Sequence, residues 1–370
     1  MRALIDYRPA LRERSGIGEY THELVRALAA SIDPPALTLS IFSSSWKDRL
    51  DVSDAGLDRV HRIDRRWPVR ALNFAWHRLG SPTVETLTGG EFDVVHSMTP
   101  LQVPSSSAAQ VVTIADLSFV TNKTWTRAEV RRDYPALTPI HARQADGILV
   151  MSEHVRNEVV RVLDVEPAKI AVVPAGAPPW TPRPSAPADG YILFVGTLEP
   201  RKNVGVLLDA YERLGDAPPL LLAGKATEAG RAWLERIERA PLAGKVRHLG
   251  YIDAADRRAL YEGARLLVLP SLDEGFGLPV LEAMTAGVPV VASNRGSLPE
   301  VLGDAGQLVD AEDPRAFAAA IDRGLNDRAF AAQCARHGVE RSRRFSWSRA
   351  AEQTFTLYQQ AIARRRCASA

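Results

Sequence analysis

The chain has 370 residues, 46% of them hydrophobic, and its 46 Lys and Arg against 44 Asp and Glu leave a formal net charge of +2. A length beyond the reach of one ordinary core predicts two domains of roughly 150 to 200 residues, while the near-neutral balance excludes a generic nucleic-acid binder. The apolar runs at 266–269 and 288–292 fall far short of the ~20 residues a membrane-spanning helix needs.

The opening M-R-A-L-I-D-Y has the pattern of a buried strand, not of a signal peptide, and the two cysteines, Cys334 and Cys367, form no disulfide framework; a cytoplasmic protein is expected. Short β-rich runs then alternate with amphipathic helical stretches, which predicts α/β architecture with parallel sheets. In the first half, strands are expected at 3–6, 37–42, 93–96, 111–115, 147–151 and 170–173. A helix is expected over 19–30, with Tyr20, Leu24 and Leu28 on one face, and another runs from the capping Ser152 to about Leu163. Within 59–78, Arg62, Arg65, Arg66 and Arg70 are opposed only by Asp64, with Trp67, Phe74 and Trp76 interleaved; Arg127, Arg131 and Arg132 form a second basic run. Such a pattern fits a solvated face over core aromatics. It also fits a surface for anionic lipid or a phosphorylated acceptor, so a peripheral membrane contact through Arg62 to Arg78 is an expectation.

The stretch 174–187 holds six prolines, which fix their own φ and restrict their neighbours, and it is expected to be a stiff connector between domains. Strands are expected again at 191–195, 219–223, 246–249, 264–269, 288–293 and 307–309, with helices between them, for instance over 204–214 and 229–239. That is a second doubly wound domain, and ligands of such folds bind outside the carboxyl ends of the strands. The expected boundaries are 1–174, a connector at 175–189, and 190–345, followed by a helical tail at 346–370.

Two segments carry chemistry. In L-P-S-L-D-E-G-F-G-L-P-V-L-E-A-M, a strand ends near Pro270, and a glycine-bearing loop with Glu274, Gly275 and Gly277 enters a helix whose first turn suits Pro279. Free backbone N–H groups and the positive helix end make a phosphate site there, bracketed by Glu274 before it and Glu282 one turn in. One carboxylate can bind a ribose diol and the other sugar hydroxyls. In V-G-T-L-E-P-R-K-N, Arg201 and Lys202 stand on a second strand-to-helix loop, where adjacent cations can neutralise a bound or departing diphosphate. Each segment alone is an ordinary loop; together they describe two anion-binding designs on one sheet edge.

These two motifs resemble those of the retaining glycosyltransferases of family 4, which have the GT-B fold, and the resemblance covers most of the chain. It implies two Rossmann-like domains facing a central cleft, with the last helix crossing back onto the N-terminal domain. It implies that Arg201 and Lys202 bind the donor diphosphate, that Glu274 contacts the transferred sugar, and that Glu282 binds the ribose. Gly196 belongs to the same donor motif, Gly277 and Leu278 would offer N–H groups, and Tyr251 and Ile252 match the segment lining the base pocket. Gly16 and Gly18, in R-S-G-I-G-E-Y, match a loop that closes over the donor diphosphate; Ser15 departs from the family's usual second glycine. The implied partners are a GDP- or UDP-linked nucleotide sugar, with GDP-mannose as first choice, and a glycan, glycolipid or small-molecule hydroxyl acceptor. No metal or cofactor is expected, because the cations and the helix dipole take that place.

One segment departs from the family. V-V-T-I-A-D-L-S-F matches a stretch that normally carries His-Asp beside the donor sugar, and here Ala115 precedes Asp116. Beside the transferase reading therefore stands a nucleotide-sugar-binding protein without transferase activity; an epimerase is disfavoured by the Arg-Lys and paired-glutamate motifs. His96, at the end of F-D-V-V-H-S, could approach the same cleft, but is expected to bond neighbouring backbone, and Trp347 to serve packing.

Overall fold

A computed structural model describes residues 1–11, 14, 16–33, 36–46, 48–50, 56–122 and 128–369, so Ser15 and Arg127 lie outside the described residues. The chain divides into two compact units, Met1–Gly176 with Ser346–Ala370, and Ala177–Phe345.

In the first unit the strands are β1 (Arg2–Asp6), β2 (Thr38–Ser44), β3 (His61–Arg65), β4 (Val94–Ser97), β5 (Ala109–Ile114), β6 (Gly147–Val150) and β7 (Ile170–Val172). They pair in the order β3-β2-β1-β4-β5-β6-β7, and each pairing is parallel. The helices of this half are α1 (Ile17–Ser31), α2 (Val69–Leu79), α3 (Val84–Thr88), α4 (Ser118–Thr121), α5 (Ala128–Gln144) and α6 (Glu153–Leu163). β4, β5 and β6 are buried at every position, so both sheet faces need helical cover. On α6 the Ser152 hydroxyl accepts the Val155 N–H at 3.2 Å, the cap that its sequence announces.

In the second unit β8 (Tyr191–Val195), β9 (Leu220–Ala223), β10 (Val246–Gly250), β11 (Ala264–Leu269), β12 (Val290–Ser293) and β13 (Gln307–Val309) pair in the order β10-β9-β8-β11-β12-β13, again all parallel. Its helices are α7 (Val204–Tyr211), α8 (Arg231–Ile237), α9 (Ala254–Glu262), α10 (Leu278–Ala286), α11 (Leu298–Leu302), α12 (Pro314–Asn326) and α13 (Arg328–Ser342). The final helix, α14 (Trp347–Ser369), belongs to the first unit, where it packs on α1 and β5; the Trp347 and Tyr20 rings lie 5.6 Å apart.

Both sheets reverse direction of growth once, between β1 and β4 and between β8 and β11. Ligand crevices of open α/β sheets form at such switch points. The loops carrying Arg201, Lys202 and Glu274 follow β8 and β11, and therefore flank the switch point of the second sheet.

Several features differ from the sequence expectation. The proline-rich stretch does not run free between the units: the Arg183 N–H donates to the Ala286 carbonyl at 3.1 Å, and the Trp180 ring lies 5.7 Å from Tyr261. From Ala177 onward it packs as part of the second unit. The basic stretch holds the edge strand β3 and α2, and several of its charges are engaged. Asp64 pairs with Arg49 at 2.9 Å, Arg65 donates to the carbonyls of Leu87 and Thr88, and Arg59 pairs with Asp33. His96 bonds side chains, not backbone: its Nδ1 lies 2.8 Å from the Tyr358 hydroxyl and its Nε2 2.8 Å from Thr113 Oγ1. It is fully buried, and desolvation pulls its pKa down to about 3.

Candidate functional site

In the second unit, the loop after β8 closes with a 3-10 turn, Pro200–Lys202, and Asn203 in the left-handed conformation starts α7. Asn203 Nδ2 donates to the carbonyls of Pro270 at 3.1 Å and Ala311 at 2.7 Å, and the Leu272 N–H donates to the Arg201 carbonyl at 2.8 Å. These bonds tie the loop after β8 to the loop after β11. Arg201, Lys202 and Glu274, all expected in the donor site, meet at this seam.

Glu274 is buried, and Lys202 Nζ donates to its Oε1 at 2.5 Å while Arg201 Nη1 donates to its Oε2 at 3.2 Å. Ser271 adds a hydroxyl donor to Oε1 at 2.7 Å. Burial alone would push the Glu274 carboxyl up; the charges of Lys202 and Arg201, with hydrogen bonds from Lys202 and Ser271, outweigh it and hold the group below its ordinary range. Arg201 also donates to Glu199 at 3.1 Å and to the Asp273 carbonyl at 2.9 Å. The loop backbone is fixed as well, because both Ser297 N–H and Ser297 Oγ donate to the Glu274 carbonyl, at 3.0 and 2.9 Å. Two cations thus converge on one carboxylate, in a geometry that several independent bonds determine.

The helix start next to them has the form of an anion site. Gly277 caps α10 at φ 97° and ψ 50°, a conformation a side chain adopts only with strain. Pro279 lies in the first turn and has no N–H, so Gly277 and Leu278 supply the leading N–H groups at the positive end of the helix. Glu282 lies further along α10, buried, with Oε1 accepting from Arg257 Nη1 at 2.9 Å and Oε2 from the Tyr261 hydroxyl at 2.7 Å. Gly196 leaves β8 beside Lys202, whose Cε lies 3.5 Å from an ideal Gly196 Cβ. Tyr251 and Ile252, half-buried, follow the end of β10.

The remaining expected residues belong to the first unit. Asp116 follows β5, and its Oδ1 accepts from the Ser118 N–H at 3.0 Å and the Ser118 hydroxyl at 2.7 Å, so it closes a local turn ahead of α4. Gly16 caps α1 at φ 52°, and a Cβ on Gly18 would stand 2.6 Å from the Pro9 carbonyl oxygen, so only glycine fits there. Sequence reasoning missed Ser271, Ser297, Arg257 and Tyr261. The last two had a signal: they are four apart on α9, and so project on one face toward the same carboxylate. Among the described residues, no group of three or more His, Cys, Asp or Glu side chains is placed to hold a metal ion.

Comparison with known proteins decides the family. Residues 182–341 match the model of glycosyl transferases group 1, and residues 15–176 match that of the glycosyl transferase 4-like domain. The O-antigen chain mannosyltransferase B of Escherichia coli is 31% identical over 383 residues, covering 97% of this chain and 99% of that one. The chain belongs to the group 1 glycosyltransferases. Among solved structures, sucrose-phosphate synthase of Thermosynechococcus elongatus superposes with a TM-score of 0.78 at 23% identity, over 98% of this chain and 99% of that one. HepE of Anabaena, solved in complex with UDP and glucose, gives a TM-score of 0.69 at 18% identity, over 95% and 97%. The fold is GT-B, and the protein is a glycosyltransferase. Among the described residues, no helix is long and apolar enough to cross a membrane.

Proposed function

We propose that this glycosyltransferase moves a hexose, mannose as first choice, from a nucleotide-diphosphate sugar to a glycan or glycolipid hydroxyl with retention of anomeric configuration. The observation that carries the reading is the convergence of Lys202 and Arg201 on Glu274 beside the Gly277-capped start of α10. The similarity to a mannosyltransferase supports the sugar; a neighbour of the same fold that binds UDP keeps a uridine donor open beside GDP.

In this reading the diphosphate lies against the N–H groups of Gly277 and Leu278 and draws Arg201 and Lys202 partly from Glu274, which then meets the sugar. Glu282, already oriented by Arg257 and Tyr261, takes the ribose, and Ile252 lines the base. The bond between the anomeric carbon and the phosphate oxygen breaks, and the acceptor oxygen bonds to that carbon on the same face. The acceptor proton passes to the departing phosphate oxygen. Lys202, Arg201 and the helix end stabilise the developing charge, so no metal is required. Such a scheme asks for no histidine base and accommodates Ala115. The roles of Asp116, Gly16 and Gly18 rest on the resemblance alone.

The test is a product assay with radiolabelled GDP-mannose, UDP-glucose and related donors, together with nucleotide-dependent melting shifts. Lys202→Ala is expected to lower kcat by ~10²–10³, the scale for losing one charge-stabilising donor. Nucleotide binding without hydrolysis or transfer of any sugar would instead favour the non-catalytic binding protein.

A peripheral membrane contact is supported by one further observation. α2 buries Leu72 and Trp76 but leaves Phe74 63% and Leu79 70% exposed, with Trp67 exposed just before it and Arg66 and Arg70 flanking. Aromatic and arginine side chains in that combination suit a lipid headgroup region. The protein should sediment with anionic vesicles, less so at high salt, and Phe74→Ala with Leu79→Ala should weaken this at least tenfold. Equal binding to neutral vesicles at every salt concentration would refute it.

A further inference from the structure

One concavity of the second unit lies far from Glu274. It is a groove of about 970 Å³ between the proline-rich segment 182–188 and α13, and the amino ends of β11 and β12 close it through Arg265 and Pro289. The candidate donor loops leave the carboxyl ends of β8 and β11. The six residues of β11 separate the two ends by about 20 Å.

α13 makes the groove because its two faces differ. Cys334, Gly338 and Ser342 are buried, and an ideal Cβ on Gly338 would stand 3.3 Å from Met284, so that face packs closely on α10. The adjoining face presents Ala331, Ala335 and Val339 to the groove, where small side chains leave an apolar floor. The opposite wall is Pro182, Pro184 and Pro187, anchored by the bond from Arg183 N–H to Ala286.

The polar lining has one dominant sign. Arg183, Arg265, Arg328, Arg336 and Arg343 line the groove, against Glu340 as its acid. Among the described residues none of the five arginines takes part in a salt bridge, whereas Arg201, Arg236 and Arg257 in the same unit do. Arg183 and Arg265 spend one Nη each on backbone carbonyls: Arg183 on Glu262 and Ala264, Arg265 on Leu325 at 2.9 Å. Burial pulls the Arg183 guanidinium down to about 10, against the opposing charges of Glu262 and Tyr191. Guanidinium forks match phosphate oxygens bidentately, and arginines lining a concave apolar floor with one acid among them favour an anion that carries an apolar part.

We infer that this groove is a second ligand site, separate from the donor site, for an amphipathic organic phosphate whose head meets the arginines and whose apolar part lies on the Ala331–Ala335–Val339 floor. It does not depend on the donor reading, because none of the residues assigned to the donor lines it.

Calorimetric titration of the full chain with octyl phosphate, below its micelle concentration, tests this, with inorganic phosphate and octanol as separate probes. Octyl phosphate should bind with one-to-one stoichiometry and at least tenfold more tightly than either. The exposed triple variant Arg328→Glu, Arg336→Glu, Arg343→Glu should lose at least tenfold while its nucleotide-induced melting shift stays unchanged. Ala335→Phe, which fills the floor, should weaken octyl phosphate but not inorganic phosphate. Lys202→Ala should bind octyl phosphate normally. Equal affinity for octanol would overturn the assignment in favour of a purely apolar crevice. Unchanged octyl phosphate binding in the triple variant, or equal binding of inorganic phosphate, would also overturn it.

Discussion

Glu274 and His96 show how burial sets charge in opposite directions. Glu274 remains ionised because two cations and a hydroxyl repay its desolvation, and removing one partner of such a buried cluster typically costs about 3–5 kcal/mol. His96 has no charged partner among the causes of its shift, so burial leaves it neutral, donating and accepting between Tyr358 and Thr113. Its folded pKa of about 3 lies below the unfolded value of 6.5, so folding favours the neutral form. That contribution is complete above pH 6.5 and is lost as the pH falls from 6.5 toward 3, while the unfolded chain gains the proton. Between pH 7 and pH 4.5 the loss amounts to a few kcal/mol, on the order of the shift's linkage free energy. Denaturant unfolding of the first unit should therefore weaken by about that much more in the wild type than in His96→Gln over the same interval. Parallel pH profiles for the two proteins would show that His96 titrates normally.

At the scale of elements, the strand-loop-helix of β11 and α10 depends on Gly277. An alanine there would be strained at φ 97° and bring its Cβ to 2.8 Å from Leu298 Cδ2, so the turn or the buried Leu298 side chain must shift. Gly277→Ala is expected to cost about 1–3 kcal/mol of stability in the second unit and to weaken nucleotide binding more than tenfold, both readable in one melting series with and without GDP or UDP. Unaltered nucleotide affinity would mean that the helix start does not meet the phosphates. This element was legible in sequence because glycine, proline and the paired acids each have a local physical meaning. β8, β11 and β13 were legible to the residue, the first two because buried parallel strands read as apolar runs. β3 was not: H-R-I-D-R is a polar edge strand whose pattern is charge. α5 was hidden by Pro135 and Pro139, which argue locally against the helix that tertiary packing holds. In the site, Ser271, Ser297 and the α9 pair escaped notice because their roles arise from loops and helices brought together by the sheet.

At the scale of the molecule, chain order and structural membership part company only at the end. α14 is last in sequence but belongs to the first unit, where Leu357, Tyr358 and Ala361 are buried and Tyr358 holds His96. Its arginines contribute too, as Arg364 donates to the carbonyls of Asp146 and Ala168. Burying a side chain the size of Leu357 or Tyr358 stabilises by about 1.5–3 kcal/mol, so the two together make up a large part of the margin of an ordinary domain. All the candidate donor residues of the second unit, from Gly196 to Glu282, lie before Phe345. A chain ending at Phe345 should therefore lose the unfolding transition of its first unit, or show it at much lower temperature. The second unit should still melt cooperatively and still be stabilised by nucleotide, because its sheet, α10 and the loop after β8 are complete. Scanning calorimetry of the full and shortened chains, each with and without nucleotide, separates the two transitions. If the first transition persisted unchanged, α14 would be an appendage; if both vanished, the second unit would depend on the first to fold.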